Sequence, residues 1–289
     1  MTLRALVVHG GAGNPRGGAI DDEAPYREAL LGAVAAAQRH PGDALAAVEA
    51  AVRLLEDAPL FNAGRGSVLT SEGRVEMDAA VMCGRTLRAG AVAAVTTVRN
   101  PVSLARAVME GSDHVLLVGE GAELLAAEHG LERMDRDWFV TERQKRGLAR
   151  AEAAKGTVGA VALDAEGRLA AATSTGGTRG QRPGRVGDSP LIGAGTYADS
   201  TCAVSATGDG EHVISAVAAH EVSALMRYGD LALPEACDVV LRGRLEPLGA
   251  DAGLIAVDTH GDIAMPFNTT IMHRAWQVAG EEPRSAVGR

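Results

Sequence analysis

The chain has 289 residues, 46% of them hydrophobic and 22% charged, an ordinary globular composition for one large α/β domain or two small ones. Its net charge of −9 argues against nucleic acid or an anionic membrane as a partner. No apolar run reaches the roughly 18–20 residues that span a bilayer, so no transmembrane helix is expected.

Residues 1–8 are too short, and too quickly followed by glycines, for a signal peptide. Residues 5–8 form a short apolar strand that runs into His9-Gly10-Gly11-Ala12-Gly13. A phosphate cradle needs the Lys-Ser/Thr of a P-loop or a spaced GxGxxG, and neither is here, which leaves a tight loop packed near a site. Two helices follow, over 23–38 and over 43–56, the second opened by Asp43 as N-cap. The stretch from Ala58 to Ser67 puts Asn62 among small residues and two glycines, the composition of a loop with unusual backbone angles. It suits an ordinary connection, and equally a loop that presents carbonyls to a cation or places an amide side chain. Residues 75–82 and 91–98 read as strands, Asn100-Pro101 opens a helix, 114–118 is a strand and 120–129 a helix.

From 136 to 155 the chain is rich in charge and reads as a solvated helix or a mobile tether. Strand character returns at Thr157. Residues 157–164 and 169–174, with a turn at Glu166-Gly167, make a hairpin by pattern, closed by Thr175-Gly176-Gly177. Thr157 stands first in that hairpin, directly after Gly156. Threonine is common in strands, and one reading goes no further. The other is chemical. A cut between Gly156 and Thr157 would give Thr157 a free α-amine, of pKa near ~8, beside its own hydroxyl. One residue would then hold nucleophile and base together.

The loop from Gly184 to Pro190 carries Arg185 and Asp188, three apart. They pair with each other, or they hold the carboxylate and ammonium of an amino acid, for which a guanidinium fork is suited. Residues 202–206 form a strand that ends in Thr207-Gly208-Asp209-Gly210-Glu211, before a helix over 212–228. The Thr207 hydroxyl and Gly208 amide suit either an N-cap turn or an oxyanion site. Residues 253–258 and 262–265 form a last hairpin, and the tail after Trp276 reads as frayed. Three cysteines, Cys83, Cys202 and Cys237, show no metal spacing and point to a reduced, cytoplasmic setting. No repeat and no domain boundary stands out, so one domain of interleaved strands is expected.

Eight stretches stand in order along the chain: His9 to Gly13, Leu60 to Gly64, Glu76 to Ala79, Gly156 to Gly159, Thr173 to Gly177, Gly184 to Pro190, Thr207 to Glu211 and Pro266 to Asn268. Together they resemble the plant-type asparaginase / isoaspartyl peptidase family of N-terminal-nucleophile hydrolases, over nearly the whole length. The resemblance implies an α+β fold, a four-layer αββα sandwich forming a single domain. It implies a precursor that cuts itself before Thr157 into an α subunit (1–156, with 136–156 as tether) and a β subunit (157–289), assembled as (αβ)2.

By the same resemblance, Thr157 is the nucleophile, Thr175 hydrogen-bonds near its amine, and Thr207 and Gly208 are oxyanion donors. Arg185 binds the substrate α-carboxylate, Asp188 and the Gly210 carbonyl take the α-ammonium, and Asn62 lines the site. No organic cofactor is implied. A structural sodium ion is, on backbone carbonyls of a loop matching 55–65, with Leu55, Glu56, Ala58, Phe61, Ala63 and Arg65 as contributors. The substrates implied are L-asparagine and β-aspartyl dipeptides, hydrolysed to L-aspartate through a Thr157 acyl-enzyme. Two rivals are a glycosylasparaginase of the same fold, with the same Arg185–Asp188 clamp, and an unprocessed, non-catalytic amino-acid-binding protein. The Gly before the nucleophile and the Val158-Gly159 after it lean towards the asparaginase branch.

Overall fold

The computed structural model describes residues 2–14, 22–150 and 155–288. Its strands, in chain order, are β1 (Ala5–Gly13), β2 (Met77–Cys83), β3 (Ala89–Val95), β4 (Leu116–Val118), β5 (Val158–Leu163), β6 (Leu169–Thr175), β7 (Thr196–Ala198), β8 (Cys202–Gly208), β9 (Ala252–Asp258), β10 (Ile263–Ala264), β11 (Ile271–Val278) and β12 (Arg284–Ala286). They form an eight-stranded sheet, ordered β12-β11-β1-β5-β6-β2-β3-β4, and a four-stranded sheet, ordered β10-β9-β8-β7. All pairings are antiparallel except β3 with β4.

The hairpin of β5 and β6 is inserted between β1 and β2, with Val7 opposite Val161 and Asp78 opposite Thr175. Residues from both sides of Gly156 therefore share one sheet, and the chain is a single mixed α and β domain. The period-two alternation of strands decides what each face meets. Leu6 and Val8 of β1, with Val158, Ala160 and Ala162 of β5, join a core with helices α1 (Ala24–Ala37), α2 (Ala44–Asp57) and α3 (Pro101–Gly111). Ala5, Val7, Val161 and Leu163, on the other face, pack against Ala203, Ile255 and Val257 of the small sheet. Each such Val, Leu or Ile side chain contributes roughly 1.5–3 kcal/mol on burial.

Past α3 come α4 (Gly119–Glu128), α5 (Arg136–Phe139) and α6 (Glu142–Ala149). Beyond β8 lie α7 (Gly210–Ala216), α8 (Ala218–Gly229) and α9 (Leu233–Asp238), and the outer face of the small sheet packs on this helical side through Cys202, Val204 and Ala206.

Several expectations change. The glycines after His9 are not a loop; they continue β1 to Gly13, with a register shift between His9 and Ala12. The stretch 136–149 is no free tether, because Phe139 and Gln144 are buried; residues 151–154 lie outside the described set. The helix expected over 212–228 breaks at Val217, whose φ of +47° ends α7 and starts α8. The tail is not frayed after Trp276: β11 runs to Val278, and β12 pairs with it at Trp276↔Arg284.

Candidate active site

Strand parity brings the candidate threonines together. Thr157 and Thr175 sit at the ends of neighbouring antiparallel strands, on the side of Val161 and Ala171 that faces the small sheet. Thr207 lies near the end of β8, in phase with Ala203. All three are buried. The Thr157 hydroxyl donates to Thr175 Oγ1 at 3.3 Å, and Thr175 in turn donates to the Gly156 carbonyl at 2.8 Å. Asn62 Nδ2 donates to the same carbonyl at 2.8 Å and to Gly177 O at 2.7 Å, while its Oδ1 accepts the Val68 amide. The carbonyl immediately before Thr157 thus has two donors on it, and the Thr157 hydroxyl in turn donates to one of them.

The β1 extension supplies the next wall. A Cβ at Gly11 would lie 3.3 Å from the Thr157 nitrogen and oxygen, and the φ of +103° there favours glycine, so the strand passes close to the threonine. Its neighbour Ala12 donates its amide to Thr207 Oγ1 at 3.3 Å, which ties the β8 end to the same place. A cavity of about 550 Å³ opens here, lined among others by Gly11, Asn62, Gly156, Asp209 and Asp251.

Arg185, Asp188 and Gly210 converge. A Cβ at Gly210 would stand 2.8 Å from Asp188 Oδ1 and 2.9 Å from Arg185 Nη2. Arg185 does not simply pair with Asp188: its Nε and Nη2 engage the two Glu211 oxygens at 2.9 and 3.0 Å. That contact lowers the Glu211 pKa; Nη1 also donates to Gln181 Oε1 at 3.4 Å, which leaves one Nη1 and one Nη2 proton of the fork without a protein acceptor. Asp188 is 4% exposed, and its Oδ2 has no hydrogen-bond partner among the described residues. Burial raises its pKa to about 7, against a lowering pull from Arg185. A buried carboxylate oxygen without a donor is costly to ionise and retains its capacity to accept a hydrogen bond.

The family model described as "Asparaginase" matches residues 2–155 and 146–287. The isoaspartyl peptidase of Escherichia coli strain K12 is 49% identical over 312 aligned positions, covering 100% of this chain and 97% of that protein. The putative isoaspartyl peptidase/L-asparaginase of Dictyostelium discoideum is 41% identical, covering 94% and 93%. The plant-type L-asparaginase of Pyrococcus furiosus is 42% identical, covering 98% and 99%. The chain belongs to the asparaginase family.

Within this asparaginase-family chain, Asp78 and His9 stand in two of the eight stretches, yet the sequence suggested no role for either. Asp78, opposite Thr175 in the sheet, accepts the Gly187 amide at 3.3 Å and so couples the clamp loop to the strand of Thr175. Burial raises its pKa to about 6, with the Ala94 and Gly187 amides opposing. His9 meets Ser205 Oγ at 2.9 Å, and Ser205 meets Thr173 Oγ1 at 2.8 Å, a polar link between the sheets. Burial lowers the His9 pKa to about 3, so this histidine is a neutral brace. Its signal in the sequence was only its place before the glycines.

The loop of the expected sodium contributors winds tightly. Gly64 has φ +49° and Gly66 φ +121°, and the Glu56 carbonyl accepts the Arg65 amide at 2.7 Å. The Leu55 and Ala58 carbonyls accept the Ala58 and Phe61 amides. Each carbonyl retains a second lone pair, and oxygen is the donor type a hard cation takes. Among the described residues, no group of three or more His, Cys, Asp or Glu is placed to hold a metal ion.

Proposed function

We propose that this chain is a self-processing amidohydrolase that cleaves the side-chain amide of L-asparagine and β-aspartyl dipeptides and releases L-aspartate. The observation that carries it is the relay from Thr157 through Thr175 to the Gly156 carbonyl, beside a buried, unpartnered Asp188 oxygen and an Arg185 fork.

Self-cleavage starts when Thr157 Oγ adds to the Gly156 carbonyl carbon. Asn62 and Thr175 donate to the oxygen as it gains charge. The C–N bond breaks, the nitrogen takes the proton from Oγ, and water hydrolyses the ester left on Thr157. The freed α-amine is the base for every later cycle. It takes the Thr157 hydroxyl proton as Oγ attacks the substrate β-carbonyl, and the Thr207 hydroxyl and Gly208 amide stabilise the oxyanion. Ammonia or the peptide amine leaves with the proton, and water releases aspartate from the acyl-enzyme. Both substrates carry a free α-amine and α-carboxylate beside a β-amide, so one Arg185–Asp188–Gly210 clamp serves both.

The finer architecture belongs to the same proposal. The two sheets, with helices on their outer faces, form an αββα sandwich, split after Gly156 into subunits 1–156 and 157–289. Two such pairs assemble as (αβ)2 in the cytoplasm. A sodium ion sits on the carbonyls of Leu55, Glu56, Ala58, Phe61, Ala63 and Arg65. Its role is structural, so exchanging sodium for choline lowers Tm by about 2–4 °C, read by thermal scan. An unchanged Tm removes the ion from the proposal.

Thr157→Ala tests the function. It abolishes both self-cleavage and hydrolysis of asparagine and β-aspartyl dipeptides; a variant that still turned over dipeptides would overturn the assignment. Hydrolysis of N-acetylglucosaminyl-asparagine in preference to both substrates would point to the glycosylasparaginase instead.

A further inference from the structure

Lys155 immediately precedes Gly156, in a stretch whose sequence suggests only a charged tether. Its ammonium nevertheless lies 2.6 Å from Asp209 Oδ1 and 3.2 Å from Asp251 Oδ2. The two aspartates are latched together, through their backbones and through the Asp209 carboxylate. The Asp209 amide donates to Asp251 O at 2.9 Å, and the Asp251 amide donates to Asp209 Oδ2 at 2.9 Å. They come from the β8–α7 junction and the start of β9, so both belong to the small-sheet side. The side chains of Lys155, Asp209 and Asp251 are 24%, 30% and 40% exposed, so the cluster is partly shielded from water.

The other end of the same dipeptide is held from the opposite sheet. Asn62 and Thr175 fix the Gly156 carbonyl, each at 2.8 Å. Gly156 stretches between the two anchors with φ +153°. We propose that Lys155 is the positioning residue for self-cleavage: clamped by Asp209 and Asp251, it holds the scissile carbonyl on its two donors and in reach of Thr157 Oγ. This rests on the self-processing proposed above and extends it to a residue outside the reacting groups. Lys155 touches no reacting atom. Its contribution is to keep the chain in the attack-ready geometry, where small displacements are costly in rate.

The test uses the full chain made by cell-free translation, with intact mass followed over time. Lys155→Met is expected to self-cleave about tenfold more slowly than wild type, the loss of roughly one charge-assisted bond. Lys155→Arg restores most of the rate. Added salt slows wild type and leaves Lys155→Met unaffected, because the clamp is ionic and partly open to water. Once cleaved, Lys155→Met hydrolyses a β-aspartyl dipeptide with the wild-type kcat/KM, since the tether end has no part in turnover. Equal cleavage rates for wild type and Lys155→Met, at any salt, overturn this inference alone. A slow Lys155→Met that Lys155→Arg does not rescue overturns it too, because charge is then irrelevant. A wild-type chain that never cleaves removes the self-processing proposal and this inference with it.

Discussion

At Asp188, burial and chemistry pull in opposite directions. Burial raises its pKa to about 7, yet only the ionised form attracts an ammonium. In the free enzyme the carboxylate is therefore lost as pH falls through about 7, while a bound ammonium holds it ionised. The expected outcome is a KM for asparagine that rises as pH drops below about 7, measured across pH 5.5–8.5. A flat KM would remove Asp188 from the ammonium site. Asp188→Asn keeps the shape and removes the charge, so kcat/KM falls by about two to three orders of magnitude. Thr175 is tested by a different readout. Thr175→Val retains the β-branched shape but can neither accept from Thr157 nor donate to Gly156, and self-cleavage, read by intact mass, slows about a hundredfold. An unaltered rate would mean the relay is not used. At this scale the sequence singled out residues that stand in a motif: Thr157 after Gly156, Thr207-Gly208, Arg185 with Asp188. It was least legible for the partner of Arg185, because Glu211 reads as an ordinary first-turn acid of a helix.

Among the elements, the contact of α2 with β6 has a consequence of its own. Glu56, in the last turn of α2, is fully buried, accepts from Ser174 Oγ at 2.6 Å and from the Val102 amide at 3.0 Å, and its Oε2 has no partner among the described residues. Burial raises its pKa to about 8. Between its ordinary value near 4.5 and about 8, the folded chain keeps a proton that the unfolded chain releases. Stability attributable to Glu56 is therefore complete below pH 4.5 and declines as pH rises towards 8. Glu56→Gln is expected to flatten that decline in Tm between pH 5 and 8. A slope equal to wild type would place the proton elsewhere. Glu56→Ala strands the Ser174 hydroxyl and the Val102 amide and costs about 2–4 kcal/mol. A glutamate at the end of an alanine-rich helix reads as solvent-facing, so nothing local signalled its burial. β1 shows the converse: five residues with three glycines look like a loop, yet the register shift between His9 and Ala12 lets them remain in the sheet beside Thr157.

For the whole molecule, the decisive feature is that the strand beginning after Thr157 lies inside a sheet built from both halves of the chain, β5 between β1 and β6. A cut after Gly156 would leave every one of these pairings in place, so the fold is compatible with the proposed self-cleavage. That these strands exist, and that they interleave in one domain, was readable from the sequence. Which strands become neighbours was not, because sheet order is fixed by contacts far apart in the chain, such as Asp78 with Thr175. The most direct measurement is the intact mass, under denaturing conditions, of the purified wild-type chain over days of incubation. Two fragments that meet between Gly156 and Thr157 are expected, and they establish the N-terminal threonine as the reacting group. A single stable full-length species, active on β-aspartyl dipeptides, would contradict it.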